Sequence, residues 1–245
     1  MRKIFVLLSF AFISKMSFAQ WQQPKIDFSF PSETNAIKQN DPNLLRNLPP
    51  NSKDLNYTDI DGTPFWKEDW QKAYMYTKVG NIILLDKAKM NLFSGELHYI
   101  STTGTELVVE TSAVTKVVFM QKKDSTQIDG VFAVLANYVD SKPLAFFRVI
   151  NSGNYQLVLL EKKKVKTTPY DPLQAKSNSS FYSDYNYALY NNGTVVPLKK
   201  LDRSNILPVI KSHQEDEDWL NSKHNKMKSL IEVTSFLDYY NSKNN

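Results

Sequence analysis

The 245 residues contain 30 Lys and Arg against 25 Asp and Glu, a formal charge of +5, and no cysteine. The absence of cysteine excludes disulfides, thiol catalysis and a lipid-modified N-terminal cysteine. Only 7 glycines argue against a nucleotide-binding fold, which relies on glycine-rich phosphate loops.

The first predicted element is an export signal at residues 1–19. Arg2 and Lys3 precede an apolar run of about ten residues, and small residues occupy the −3 and −1 positions of a signal peptidase site. That run is too short for a transmembrane helix, which needs roughly 20 residues. We therefore expect cleavage between Ala19 and Gln20, no membrane span, and a soluble exported protein in the periplasm or outside the cell.

Removal of the leader also changes the charge of the protein. It takes away three basic residues and no acidic one, which lowers the formal charge from +5 to +2. A nearly neutral chain lacks the strongly basic character typical of nucleic-acid-binding domains. The one basic run, Lys162 to Lys164, is expected to be the solvated end of a strand. No nucleic-acid partner is predicted.

Residues 20–61 are predicted to form an extended arm, because five prolines punctuate a region rich in Asn and Ser. Residues 62–200 then contain short β-branched and aromatic runs separated by turn residues. They predict a mainly β domain, an antiparallel meander arranged as a sandwich or partly open barrel. One run, residues 144–150, also fits a helix. The predicted strands are residues 73–78, 82–85, 91–93, 96–100, 106–110, 114–120, 131–139, 144–150, 155–161, 181–190 and 194–198.

Residues 201–245 are predicted to form a C-terminal helical segment packed on the β-domain. Ser204 or Asn205 can cap a first helix that runs to about His213, and residues 215–223 can extend it. Residues 229–240 carry apolar side chains close to helical spacing.

Two segments give the chain a resemblance to a group of secreted proteins from Gram-negative bacteria. Residues 60–70, IDGTPFWKEDW, resemble the G-[ST]-P-[FY] motif that opens the β-domain of that group. Residues 236–241, FLDYYN, resemble the Tyr-Tyr-Asn sequence that ends its helical segment. The likeness spans about residues 61–241. It implies secretion and this architecture, but no activity and no site residues.

The sequence gives no catalytic, metal-binding or cofactor-binding pattern. The three histidines, His98, His213 and His224, lack the i, i+4 spacing of helical zinc ligands, and no G-x-S-x-G elbow is present. We therefore predict no metal and no cofactor. A secreted hydrolase acting on polysaccharide or peptide remains an alternative, with strand carboxylates as its catalytic pair. The available carboxylates are Glu96, Glu106, Glu110 and Asp140.

The strand at residues 181–190 contains the most suggestive binding residues. If Phe181, Tyr185 and Tyr187 face the same way, they could form a stacking surface for a sugar or a peptide. Alternatively they bury against the sheet, as alternating aromatic residues commonly do. The leading hypothesis is a non-enzymatic binding or accessory module for a protein or glycan partner.

Overall fold

A computed structural model describes residues 26, 36–38, 45–47, 57, 60–136, 138–140, 144–169 and 179–243. The predicted signal peptide and its cleavage site lie outside these residues, as does most of the predicted arm. No helix of the described residues is both long and apolar enough to cross a membrane.

One mixed sheet of thirteen strands forms the body of the protein. Eleven strands follow the order β13-β12-β11-β10-β9-β8-β4-β5-β6-β7-β2, and the sheet is open at both ends. In chain order the strands are β1 (Ala36–Lys38), β2 (Leu45–Asn47), β3 (Ile60–Asp61), β4 (Gln71–Thr77), β5 (Ile82–Asn91), β6 (Glu96–Ile100), β7 (Glu106–Val109), β8 (Val114–Met120), β9 (Ile128–Leu135), β10 (Ala145–Val149), β11 (Gln156–Thr167), β12 (Ser179–Asn191) and β13 (Thr194–Leu198).

The prediction of a mainly β fold with C-terminal helices is confirmed. The sheet is mixed rather than wholly antiparallel, because two short strands from the predicted arm join it in parallel. β1 pairs with β5, and β3 pairs with β12. The run at residues 144–150, which also fitted a helix, forms strand β10.

Two strands are longer than their sequence pattern predicted. β5 runs unbroken from Ile82 to Asn91, and a register shift against β4 places Asp86 and Lys87 outside the alternation. A bulge of this kind changes which face the following residues occupy. The sequence pattern therefore predicts two short strands, residues 82–85 and 91–93, where the structure has one. β11 continues to Thr167, so the basic run lies within a strand and not after it.

Three helices follow the sheet: α1 (Arg203–Ile210), α2 (Gln214–Ser222) and α3 (Leu230–Lys243). Asp202, rather than Ser204 or Asn205, caps α1, since its side chain accepts a hydrogen bond from the Asn205 amide at 2.9 Å. Lys211 adopts a left-handed conformation with φ of 54° and ends α1. The predicted continuation is therefore a separate helix.

The sheet buries apolar side chains on both faces. Phe146 and Leu157 lie on one face, here called the helix-bearing face, because the three helices pack on Leu157 and its neighbours. Phe147 and Val158 lie on the opposite face. That second cluster includes Ile26, whose carbonyl accepts a hydrogen bond from the buried Gln156 side chain at 2.8 Å.

Candidate functional site

Strands β10 and β11 separate soon after they meet, and this divergence opens the sheet. They pair only at Arg148 with Leu159 and at Val149 with Val158, whereas β11 pairs with β12 over twelve positions. The turn between β5 and β6 fills the gap, because the Lys163 amide donates to the Leu92 carbonyl at 3.0 Å.

The turn that fills this gap is held in place by a buried side chain. Asn91 is 1% exposed, and its Oδ1 accepts from the amides of Phe93 and Ser94 at 3.0 and 3.1 Å. Asn side chains commonly stabilise turns in this way. Asn91 therefore sets the position of Phe93, which is 39% exposed.

A cleft of about 340 Å³ lies between this turn and strands β10, β11 and β12. Its apolar lining includes Met90, Leu92, Phe146 and Leu160. Charged side chains at its rim are Asp140, Glu161, Lys162, Lys163, Lys164 and Asp184. Apolar walls with a few convergent polar groups are typical of ligand-binding clefts.

Most of the rim charges neutralise one another. Lys162 forms an ion pair with Asp140, and Lys164 pairs with Asp184 at 2.6 Å. Burial, followed by the neighbouring Lys164 charge, lowers the pKa of Lys162. Within the described residues, the Lys163 ammonium has no ion-pair partner. The cleft therefore offers a cation beside an apolar wall.

An aromatic group borders the cleft on the helix-bearing face. The ring of Phe181 packs edge-on against Tyr57 and Phe93, with centroid distances of 5.8 and 5.6 Å. Tyr185 lies on the same face of β12 and is 48% exposed. We call Phe93, Phe181 and Tyr185 the aromatic surface. Edge-to-face packing gives the rings of Phe93 and Phe181 defined positions while leaving part of their area open to a ligand.

The three predicted binding residues do share one face, because Phe181, Tyr185 and Tyr187 alternate along β12. Tyr187, however, packs against the helix cluster. The structure thus keeps Phe181 and Tyr185 at the surface and places Tyr187 in the helix interface. Sequence reasoning missed Phe93, because only the insertion of the β5–β6 turn brings it to β12.

His98 is buried, at 7% exposure, on strand β6. Its Nδ1 lies 2.7 Å from the Glu106 carboxylate, and its Nε2 lies 3.5 Å from Asn91 Nδ2. The hydrogen bond to His98 lowers the pKa of Glu106. The contacts of this imidazole join β5, β6 and β7, and no described hydroxyl group hydrogen-bonds to it.

The other two histidines lie in the helical segment. His213 is the N-cap residue of α2, and its amide donates to Asp216 at 2.8 Å. His224 follows α2 in a left-handed conformation with φ of 51°. Over the described ranges, no group of three or more His, Asp or Glu side chains could hold a metal ion.

The carboxylates considered for a hydrolase lie in three separate places. Glu96 and Glu106 flank His98, Glu110 accepts from the Ser112 hydroxyl, and Asp140 pairs with Lys162 in the cleft. A general acid needs a raised pKa. Among the described carboxyl groups with a shifted pKa, every shift is downward; they are Glu106, Asp124, Asp202 and Glu232.

A second depression of about 470 Å³ lies near Gln71, the first residue of β4. Charged and amide side chains line it, and Lys67 pairs with Asp129 while Lys122 pairs with Asp69 at 3.0 Å. The Gln71 side chain also donates to the Met120 carbonyl at 3.1 Å. This depression has no apolar wall on which a ligand could stack.

Comparison with family models, curated proteins and solved structures finds no match to this chain.

Proposed function

We propose that the chain is an exported, non-enzymatic binding or accessory module for a protein or glycan partner, in the periplasm or outside the cell. The aromatic surface and the adjoining cleft form its binding site. Export is supported by the predicted leader at residues 1–19, and the absence of cysteine suits an oxidising compartment.

The observation that carries this proposal is the position of three aromatic rings beside Lys163, which has no ion-pair partner among the described residues. Phe93 and Tyr185 are 39% and 48% exposed, and Phe181 packs against Phe93. Lys163 lies opposite Ser183, between the register positions of Phe181 and Tyr185. Aromatic faces supply contact area at low entropic cost, and the charged rim supplies orientation.

The contacts of the cleft carboxylates favour binding over hydrolysis. Asp140 and Asp184 are each held by a lysine, and Glu161 accepts from the Ser183 hydroxyl at 3.2 Å. Each of these carboxylates is therefore engaged by a lysine or a hydroxyl group at the cleft.

The test uses the chain from Gln20 to Asn245, arrayed glycans, and a displayed library of linear heptapeptides. Ligands recovered from either source should lose at least about tenfold in affinity for the Phe181→Ala and Tyr185→Ala variants, because buried aromatic contacts dominate interface energy. Val79→Ser is the matched control, since Val79 is 77% exposed in a distant turn. Recovery of no ligand, or equal affinity for all variants, would contradict the proposal.

A further inference from the structure

Among the described residues, strand β12 has an edge segment that pairs with no other strand. On one side it pairs with β11 over twelve positions. On the other side it pairs with β3 at Ser179 and Ser180, and with β13 from Tyr187 to Asn191. No described strand pairs with residues 181–186 on that side. These six residues form a gap between two short strands.

The backbone groups that face this gap can be deduced from the hydrogen-bond pattern. The Ile150 amide donates to the Leu157 carbonyl at 3.0 Å, so odd-numbered residues of β11 point towards β10. In an antiparallel sheet, successive residues direct their N–H and C=O groups to opposite sides. Even-numbered residues of β12 therefore bond to β11. Ser183 and Tyr185 direct both backbone groups into the gap.

Two tyrosines flank the same gap on opposite faces of the sheet. Tyr185 is 48% exposed on the helix-bearing face, and Tyr182 is 46% exposed on the other face. Proteins usually protect a free edge with proline, lysine or a bulge. β13 follows this rule, since it contains Pro197. Residues 181–186 contain neither proline nor lysine, and their pairing with β11 has no register shift. Their one charged side chain, Asp184, pairs with Lys164 on β11.

We propose that residues 181–186 bind an extended peptide segment of a partner protein, which adds a strand to the sheet between β3 and β13. This inference rests on the proposed function and narrows its partner class to peptide. At about 3.3 Å per residue, the gap takes five or six residues. Backbone hydrogen bonds provide the affinity, as in other cases of strand addition.

The tyrosines specify the side chains of this peptide. Tyr182 and Tyr185 are three positions apart and face opposite sides, so the peptide should carry two β-branched or aromatic residues with the same spacing. The flanking strands argue against a second copy of β12 as the occupant. That strand spans thirteen residues and would collide with β3 and β13.

The test combines peptide selection with two substitutions at one position. Heptapeptides selected on the chain from Gln20 to Asn245 are synthesised, and their affinities are measured for Ser183→Pro and Ser183→Ala. Proline removes the outward N–H, and such a change is tolerated on a free edge. Alanine keeps that N–H but loses the hydroxyl contact with Glu161. We expect Ser183→Pro to weaken binding about tenfold or more and Ser183→Ala to change it by less than about twofold.

Amide hydrogen exchange in the unmodified protein provides a second measurement that needs no variant. The Ser183 and Tyr185 amides should exchange rapidly in the free protein and become protected when a selected peptide is added. Protection of both amides without peptide would overturn the inference, because another part of the chain or a second copy would then occupy the gap.

The two proposals can fail separately. Ligands that depend on Phe181 and Tyr185, but bind Ser183→Pro as tightly as Ser183→Ala, would overturn strand addition and leave the proposed function intact. Recovery of no glycan and no peptide ligand would overturn both.

Discussion

At the scale of single residues, His98 shows how burial changes the interpretation of a polar residue. It alternates with Leu97 and Tyr99 along β6, so the sequence places it on the face opposite to these two apolar side chains. The structure leaves it 7% exposed, with Phe65 packed edge-on against its ring at 5.7 Å. The alternation thus identifies the side of β6 on which His98 lies. It cannot predict that Phe65 and Glu106 cover His98 there, because both residues come from other parts of the chain.

The His98 contact predicts a pH-dependent contribution to stability. The pKa of Glu106 is lowered in the folded protein, so its stabilising effect is present above the unfolded value of about 4.3 and is lost as pH falls below it. Because Glu106 is partly exposed, we expect Glu106→Gln to cost about 1 kcal/mol at pH 7.

Urea unfolding at pH 7 and pH 3 measures this effect. The difference between wild type and Glu106→Gln should narrow at pH 3, because the contribution of the charged carboxylate is lost as pH falls through its lowered pKa. Glu217→Gln is the control, since Glu217 is exposed on helix α2, outside strands β5, β6 and β7. A cost of the same size at both pH values would contradict an electrostatic origin.

At the scale of elements, one polar side chain joins α3 to the sheet by hydrogen bonds. Asn241 is 4% exposed, and its amide donates to the carbonyls of Ser152 and Tyr155 at 3.0 and 2.9 Å. Its Oδ1 accepts from the Tyr155 amide at 2.9 Å. These bonds attach the last turns of α3 to the turn between β10 and β11.

This contact makes Gly153 intolerant of a side chain. A Cβ there would collide with the side-chain amide of Asn241, and the φ of Gly153 is +106°. Gly104 also has a positive φ, of +84°, but nothing lies within 4 Å of its Cβ position. Both alanine variants should pay about 1 kcal/mol for backbone strain. Gly153→Ala should cost about 2 kcal/mol more, because α3 must shift.

Chemical denaturation of the two glycine variants checks this prediction. Equal losses of stability would mean that Asn241 moves aside without cost and that α3 does not depend on this contact.

Local patterns predicted several elements well and others poorly. β6 and β13 match their predicted bounds to the residue, since their alternation is regular and Asn192-Gly193 forms the turn before β13. The bounds of β5 were not predicted correctly, because a bulge shifts the alternation of its side chains. The position of β8 beside β4, rather than beside β7, depends on long-range packing that local sequence does not encode.

The candidate site was only partly predictable for the same reason. Phe181 and Tyr185 could be identified from alternation along β12. The cleft could not, because it forms where β10 leaves β11 and the β5–β6 turn enters from a different part of the chain.

At the scale of the whole molecule, the predicted N-terminal leader is followed by the sheet and then by a C-terminal helical layer. The buried contact of Ile26 with Gln156 lies seven positions after the predicted cleavage point. We predict that N-terminal sequencing of the exported protein begins at Gln20. Retention of residues 1–19 would contradict the predicted processing. A start beyond Ile26 would also contradict it, because the hydrogen bond between Ile26 and Gln156 would then be lost.

The most direct test of the proposed function maps a ligand onto the folded protein. Isotope-labelled protein, starting at Gln20, is titrated with a ligand recovered from the glycan or peptide library, and backbone NMR shifts are followed. We expect the largest shifts at Phe93, Lys163 and residues 181–186. Shifts confined to the helical layer, around Trp219 and Tyr239, would contradict the proposed binding site.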